Sequence, residues 1–359
     1  MNLTPLNRVP GRTIHFLMKE WLLSAAAAGL IFTSFHLRRL PLYSRHDFEV
    51  LFILFVLFVI IRGLEKSGIF GHIAARLGQG SRPALRLITG IFFLSMFVTN
   101  DVALLIGVPL ALRLDSSKKG LIVIFLALAA NAGSAMTPFG NPQNLFIYWF
   151  YHLHPWQFME TIAPFSLICG LLILAVGALI FSAPPGSGTI PGFNRSAWAY
   201  LAALALFLAA VLKLLPVWTG LVILAGTVLL DREALKVDYL LLATFACFFG
   251  FTDNLMAMLE FRMTDPHQVF LYSAIASQFI SNVPAALLFS DFTTKWQALL
   301  WGVSVGGFGN LMGSLANLIA YRFYVKEEGR EGSFLFQFHL WGYLFFATGI
   351  GLFFILKRG

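Results

Sequence analysis

Charged residues are scarce in this sequence. Asp, Glu, Lys and Arg make up 12% of its 359 residues, whereas hydrophobic residues make up 58%. A soluble globular domain carries about a quarter charged residues, so this composition excludes an ordinary soluble protein. It indicates an all-α polytopic membrane protein.

Cysteine is scarce as well, and several enzyme motifs are missing. Cys169 and Cys247 both fall inside apolar segments, so they form no disulfide framework and are too few for a trithiolate metal site. The sequence has no His-Glu-x-x-His motif, no Gly-x-Ser-x-Gly motif and no paired intramembrane aspartates in a protease context. We therefore expect no enzymatic activity and no cofactor. Because no nucleotide-binding motif is present, ion gradients or a separate ATPase must supply any energy.

The net charge of +8 comes from Lys and Arg residues in short loops between apolar runs. The positive-inside rule explains such residues better than nucleic-acid binding does. We expect a multi-pass protein of the cell inner (plasma) membrane, with the lipid bilayer and no nucleic acid as partner. Arg8, Arg12 and Lys19 precede the first apolar run, which is a retained span, a signal peptide or a transit peptide. We favour the retained span.

Nine apolar runs are long enough to cross a membrane. Two further stretches, 84–112 and 267–290, are each split into short arms by a polar triplet. The Gly-, Pro- and Ser-rich stretch 183–196 is the expected linker between an N-terminal half, 1–182, and a C-terminal half, 197–359. The nine runs cover residues 21–37, 47–63, 120–150, 160–182, 197–213, 216–231, 238–258, 297–325 and 335–356.

The arms of the first split stretch, 84–98 and 102–112, are too short to cross a hydrocarbon layer of about 30 Å. If both split stretches turn back within the membrane, 17 of the 25 Lys and Arg residues lie on the inner side, whereas 13 lie there if both stretches cross. Since Lys and Arg favour the inner side, we predict two re-entrant hairpins in addition to the nine spans. Arg38, Arg39 and Arg45 are exceptions, because this topology leaves them outside.

The two halves of the sequence also resemble each other. Residues 100–103 match 282–285 at an offset of 182, and the pattern Gly-x6-Gly-x3-Asn-Leu joins 133–145 to 306–318 at an offset of 173. In the predicted topology the first hairpin enters from inside and the second from outside, so the repeats are inverted. Inverted repeats with interrupted helices are typical of secondary transporters.

Four polar breaks interrupt the apolar runs: two hairpin tips and one point in each of the runs 120–150 and 297–325. If the repeats pack about a pseudo-two-fold axis, these breaks converge. Carbonyls freed by Pro and Gly, with Asn oxygens, suit Na⁺, and half-helix N-termini suit an anion. The candidate substrate-binding residues are Thr99, Asn100, Asp101, Asn141, Asn144, Ser281, Asn282 and Asn317. The candidate ion ligands are Asn100, Asp101, Thr137, Gly140, Asn282, Asn310 and Gly313, with one Na⁺ expected at Asn100, Asp101 and Gly140 and another at Asn282 and Gly313.

Four motifs resemble the ion transporter superfamily, which includes arsenite/antimonite efflux permeases, divalent anion:sodium symporters and bacterial inner-membrane anion permeases. They are FVTNDVALLIGVPLAL, NAGSAMTPFGNPQNLF, SQFISNVPAALLFS and VGGFGNLMGSLANLIA. The resemblance extends from about Asp47 to the C-terminus and is greatest to the bacterial anion permeases. It implies a homodimer in which each subunit has a scaffold domain and a moving transport domain, working by an elevator mechanism.

The resemblance also implies a role for the hairpin tips. In the symporters, Ser-Asn-Thr at both tips binds the substrate carboxylate beside Na⁺. Here residues 99–100 and 281–282 are similar to the first two positions, whereas Asp101 and Val283 replace the threonine. An ionised Asp101 would repel a dianion, and the Asn-Asp pair is more similar to the arsenite permeases, whose substrate is a neutral hydroxide. Asp101 is alternatively a ligand of the coupling cation or a group that takes up and releases a proton.

These observations lead to one main hypothesis and three alternatives. The main hypothesis is a secondary active transporter of a small anion or oxyanion, coupled to Na⁺ or H⁺. A sodium/proton antiporter that uses Asp101 is the alternative within active transport. An intramembrane enzyme and a passive channel are the alternatives from other classes.

Overall fold

The computed structural model describes residues 20–181, 190–259, 261–329 and 331–356. These residues form sixteen α-helices and two short 3₁₀ turns. The described part of the chain contains no β-strand, only one isolated bridge, and the predicted all-α class is confirmed. The basic N-terminal residues 8–19 and the first half of the predicted linker, 183–189, lie outside the described residues.

The helices follow one another with short connections. The N-terminal half contains α1 (Trp21–Leu37), α2 (Arg45–Ser67), α3 (Ile69–Gly78), α4 (Pro83–Leu94), α5 (Asn100–Arg113), α6 (Lys119–Ser134), α7 (Pro142–Phe150) and α8 (Pro155–Ile180). The C-terminal half contains α9 (Ser196–Val211), α10 (Thr219–Leu230), α11 (Tyr239–Met258), α12 (Pro266–Ile280), α13 (Asn282–Ser290), α14 (Trp296–Gly306), α15 (Leu315–Glu328) and α16 (Glu331–Leu356). The 3₁₀ turns are Arg232–Leu235 and Leu311–Gly313.

The helices break where the sequence has polar residues. The run 120–150 is divided into α6 and α7, and the run 297–325 into α14, the turn Leu311–Gly313 and α15. The first split stretch forms the helix pair α4/α5, and the second forms the pair α12/α13. Proline at the first position of α4, α7, α8 and α12 starts these helices, because its fixed φ suits that position and its missing N–H is not needed there.

Only part of the apolar sequence forms long uninterrupted helices. Among the described residues, Pro155–Ile180, Arg232–Met258 and Glu331–Leu356 are long and apolar enough to cross a membrane by length and composition. Five further apolar helices, α1, α4, α6, α9 and α10, have 10–17 residues. Helix α2 has 23 residues and carries charged side chains near both ends. Much of the apolar sequence therefore lies in helices of fewer than 18 residues.

Ion pairs between helix ends fix the arrangement of the outer helices. Arg39, after α1, contacts Asp253 of α11 at 2.7 Å, and the Asn254 amide donates to Ser34 of α1 at 2.8 Å. Asp253 and Asn254 thus join α11 to α1. At other helix ends, Lys66 pairs with Asp231 at 2.5 Å and Lys119 with Glu328 at 2.9 Å, joining elements far apart in sequence.

Candidate functional site

A small buried cavity lies where the broken helices meet. Its volume is about 30 Å³, which is room for about one water molecule. Both helix pairs and both broken helices contribute to its wall, and α11 and α1 close the opposite side. The lining residues are Leu22, Asp101, Pro142, Leu241, Thr244, Phe245, Phe248, Ser281, Val283, Pro284, Leu287 and Leu315.

Four helix N-termini converge on this cavity. Asp101 is in the first turn of α5, Pro142 and Leu315 are the first residues of α7 and α15, and Val283 is in the first turn of α13. Each N-terminus carries a partial positive charge, although at α5 the N–H groups of Asn100, Asp101 and Val102 already donate to Gly140 O, Asn100 Oδ1 and Thr99 Oγ1. The cavity therefore favours negative charge, either a bound anion or a carboxylate of the protein.

Among the described residues, Asp101 is the one ionisable residue that lines the cavity. Its Oδ1 is buried and has no hydrogen-bond partner. The surrounding wall is mainly apolar, with Leu241, Phe245 and Phe248 of α11 on the facing side. A buried carboxylate oxygen without a partner is costly, so Asp101 is placed to bind a cation or a proton.

A chain of buried amides connects the first helix pair to the second broken helix. The Asn100 amide donates to Asn131 Oδ1 at 2.9 Å, and the Asn131 amide donates to Asn317 Oδ1 at 2.8 Å. Asn100 also donates to Ser314 Oγ at 3.3 Å. Sequence reasoning missed Asn131, although an Asn alone in the apolar run before the first break is a signal of an intramembrane polar site.

The two broken helices are held by equivalent asparagines. The Asn144 amide donates to the carbonyl oxygens of Ser134 and Thr137, both at 3.0 Å. The Asn317 amide donates to those of Gly307 and Asn310, at 3.0 and 3.1 Å. The asparagine and both carbonyl residues of the first break thus lie 173 positions before the asparagine and both carbonyl residues of the second. Each asparagine thus joins the end of one half-helix to the start of the next.

Each broken helix is also joined to the neighbouring helix pair. The Thr137 hydroxyl donates to Met96 O at 2.6 Å, and the Asn310 amide donates to Gln278 O at 2.9 Å. Met96 and Gln278 are 182 positions apart, which is the offset of the hairpin tips. Sequence reasoning also missed Gln278, whose amide donates to Gly306 O at 2.8 Å.

Glycines allow close backbone approach at equivalent positions. A Cβ on Gly133 would lie 2.5 Å from Ser95 Oγ and would collide with Phe92 O. A Cβ on Gly306 would lie 2.5 Å from Ser277 Oγ. Gly140 and Gly313 have similar neighbours, since a Cβ on either would meet backbone oxygens of its own broken helix.

The second tip is formed by Ser281 and Asn282. Ser281 has φ 73° and ψ 156°, and its hydroxyl donates to Asn282 Oδ1 at 3.4 Å. Asn282 is buried, and its amide nitrogen would lie 3.2 Å from a Cβ on Gly307. The second tip therefore touches the second break beside the amide chain.

The structure places the predicted site residues at three kinds of position: in the cavity wall, at helix N-termini, and in the contacts that hold the breaks and tips together. Asp101 and Ser281 line the cavity, and Thr99 caps α5 by accepting from Val102 N at 3.5 Å. The Asn141 amide donates to Ser134 Oγ at 2.6 Å, and its Oδ1 is buried without a partner. Substrate and Na⁺ binding by any of these residues stays a prediction. The remaining predicted residues, which hold the breaks and tips together, are Asn100, Thr137, Gly140, Asn144, Asn282, Asn310, Gly313 and Asn317.

Comparisons with known proteins agree with a transport role. Residues 14–306 match the sequence model of the family described as CitMHS, citrate transporter. The chain is 34% identical to inner membrane protein YbiR of Escherichia coli (strain K12) over 300 residues, which are 77% of this chain and 80% of that protein. It is 33% identical to the uncharacterized transporter MJ0456 of Methanocaldococcus jannaschii over 304 residues, 80% and 84% of the two chains. Silicon efflux transporter LSI3 of Oryza sativa subsp. japonica is 30% identical over 137 residues, 36% of this chain and 26% of that protein.

Proposed function

This chain belongs to the citrate transporter family, and we propose that it is a secondary active transporter of a small anion or oxyanion, coupled to Na⁺ or H⁺. The observation that carries the proposal is the cavity on which four helix N-termini, both helix-pair tips and one carboxylate converge. N–H groups at helix N-termini suit an anion, and a carboxylate suits the coupling cation. With room for about one water molecule, the cavity must widen to admit a solute.

We further propose that both helix pairs are re-entrant. For the second pair, Met263 N donates to Phe292 O at 2.8 Å, so the chain before α12 lies against the chain after α13. For the first pair, Leu85 lies beside Gly177 of α8, and Lys118 donates to Ile180 O at 2.9 Å. The start of α4 and the chain after α5 are thus beside the same end of α8, which supports a pair that turns back.

The two pairs open towards opposite ends of α8, which supports the inverted repeats. The first pair is open at the Ile180 end. The second is open at the other end, where the Tyr151 hydroxyl, just before α8, donates to Ser290 O and Thr293 O at 2.9 Å. Helix α8 has 26 residues and is therefore about 39 Å long, enough to separate the two faces of a membrane.

The proposed mechanism is alternating access by movement of the helix pairs against α11 and α1. The α11 side of the cavity offers mainly apolar side chains, a surface along which such a movement breaks few hydrogen bonds. We propose a homodimer of the inner membrane, with α1 and α11 in the scaffold domain. This proposal extends the resemblance to elevator transporters.

Asp101 favours a small weakly acidic solute over a multiply charged carboxylate. Two like charges 4 Å apart repel by about 1–4 kcal/mol at effective dielectric constants of 80 to 20, so a carboxylate substrate beside an ionised Asp101 is disfavoured. We propose that Asp101 binds the coupling cation, which neutralises its charge, and that the solute is an inorganic oxyanion of low charge or its protonated hydroxide. The proposed solute is therefore more similar to that of the arsenite permeases than to that of the dicarboxylate symporters.

Uptake by proteoliposomes tests the transport site. A panel of carboxylates and inorganic oxyanions is offered with and without Na⁺ and pH gradients. For the solute that is taken up, Asn100→Ala and Asn282→Ala should each lower the rate at least tenfold, because both remove an amide at a tip. Asn194→Ala, an exposed loop variant, is the control. Wild-type rates in both tip variants would remove the site assignment.

Sodium/proton antiport is the second candidate, because Asp101 is the one ionisable side chain among the described residues that line the cavity. An antiporter would exchange Na⁺ for H⁺ with no solute present, and Asp101→Asn would abolish the exchange. A coupled solute transporter shows no such exchange, and Asp101→Asn instead removes the dependence of solute uptake on the cation gradient. Exchange that survives Asp101→Asn would contradict the antiporter.

A further inference from the structure

Three arginines lie between the end of α1 and the first residue of α2, Arg38 and Arg39 in the loop and Arg45 at the start of α2, on the side where the predicted topology expects few basic residues. Two of them have carboxylate partners: Arg39 pairs with Asp253 at 2.7 Å and Arg45 with Glu49 at 3.0 Å. Arg38 is exposed, and no carboxylate of the described residues lies within salt-bridge distance of it. Its positive charge is therefore available to an external anion.

Arg38 stands at the end of an open groove along α1. The groove has a volume of about 680 Å³, and most of its lining side chains are apolar. Ile31, Phe35 and Leu40 are 68%, 87% and 82% exposed. The lining residues are Leu30, Ile31, Ser34, Phe35, Arg38, Arg39, Leu40 and Pro41.

We propose that this groove, formed by the end of α1 and residues 38–41, binds an anionic phospholipid. The Arg38 guanidinium binds the lipid phosphate, and an acyl chain lies along Leu30, Ile31 and Phe35. Arginine presents parallel N–H donors that match a phosphate. Basic residues at the membrane surface next to a spanning helix attract anionic headgroups.

Charge and shape together select a lipid over soluble phosphate. An inorganic phosphate would contact only Arg38 and would leave the apolar side of the groove unoccupied. A phospholipid fits the whole groove, because its phosphate lies at Arg38 while its acyl chain lies along the apolar side chains. Its negative charge also offsets a basic residue on the disfavoured side of the membrane.

Lipid binding to the full-length protein, measured by native mass spectrometry, tests the proposal. The probes are dioleoyl phosphatidylglycerol, dioleoyl phosphatidylcholine and inorganic phosphate. The wild type should prefer phosphatidylglycerol. Arg38→Gln should lower that affinity at least fivefold, while Arg45→Gln, which removes the same charge at the start of α2, should change it less than twofold.

A second variant distinguishes a loss of lipid binding from a folding defect. Arg38 has φ 53°, a left-handed conformation that favours glycine, so Arg38→Gly should fold at least as well as the wild type and should lose the same lipid preference. Unchanged phosphatidylglycerol affinity in Arg38→Gly would overturn the proposal. Two other results would also overturn it. One is inorganic phosphate binding as tightly as phosphatidylglycerol, and the other is an Arg38 variant that loses the mass of the dimer but not the bound lipid.

Discussion

Ser281, at the tip of the second helix pair, has a backbone conformation that serine rarely adopts. Its φ of 73° and ψ of 156° lie in a region occupied almost only by glycine, where another residue costs about 1–3 kcal/mol. Ser281 N donates to Ser277 O at 3.0 Å, and Ala285 N donates to Ser281 O at 3.1 Å. Helices α12 and α13 thus hold this conformation from both sides. A serine at such a position suggests that its hydroxyl serves the site rather than the stability of the fold.

We therefore expect Ser281→Gly to stabilise the protein and to impair transport. The free energy of unfolding should rise by about 1 kcal/mol, because glycine relieves the strain, while uptake should fall because the tip loses its hydroxyl. Thermal unfolding in detergent and proteoliposome uptake measure the two effects. Ala28→Gly, inside α1, is the control and should destabilise by about 0.5–1 kcal/mol. A fall in stability of Ser281→Gly as large as that of the control would contradict the strain argument.

At the scale of elements, each broken helix packs against its helix pair through a glycine at an equivalent position, and Gly302 adds a further close contact between α14 and α12. Gly133 places α6 against α4, and Gly306 places α14 against α12. The neighbouring atoms are backbone or buried serine groups, which are unable to retreat as the end of a flexible side chain can. The positions of the two tips thus depend on these two contacts.

Gly133→Ala and Gly306→Ala should therefore destabilise the protein by similar amounts. Overpacking a close contact typically costs about 1–3 kcal/mol, and we expect both variants at or above the upper end. Gly226→Ala in α10 is the matched control, because nothing lies within 4 Å of the added Cβ, and it should be neutral or stabilising by up to about 1 kcal/mol. Thermal unfolding measures all three. A neutral Gly306→Ala beside a destabilising Gly133→Ala would show that the two contacts are not equivalent.

The elements that carry the site were predictable where the sequence repeats itself. Asn144 and Asn317 were found from the shared Gly and Asn pattern, and the structure gives them the same hydrogen bonds. Asn131 was missed because the residue 173 positions later is Ser304, so no repeat marks it. Gln278 was missed because its counterpart Met96 is apolar and contributes only a backbone oxygen. Pairings between side chains far apart in sequence depend on packing that one sequence does not specify.

At the scale of the whole molecule, the position of the site depends on how deep each helix pair reaches. Leu85 lies beside Gly177, and Phe92 lies beside Gly170, near the middle of α8. The first pair thus extends from one end of α8 to about its midpoint. The second pair is open at the opposite end of α8, so its tip approaches the same level from the other side. Under the proposed alternating access, a solute at the tips would be reached from either face in turn.

Cysteine labelling from each side of the membrane tests this arrangement. In a background of Cys169→Ala and Cys247→Ser, an impermeant maleimide should label Arg86→Cys and Asp115→Cys from the cytoplasmic side only, because both exposed residues flank the open end of the first pair. Arg262→Cys and Lys295→Cys, which flank the second pair, should be labelled from the outer side only.

The decisive comparison is between the two labelling sites that flank one helix pair. It asks only whether both sites lie on the same side of the membrane, so the orientation of the protein does not need to be known. If Arg86→Cys and Asp115→Cys are labelled from opposite sides, the first pair crosses the membrane. The first pair would then be one interrupted span with its polar break at mid-depth, and the opposed re-entrant tips on which the proposed alternating access depends would be absent. Same-side labelling within each set, with the two sets on opposite sides, is the result that alternating access at this cavity requires.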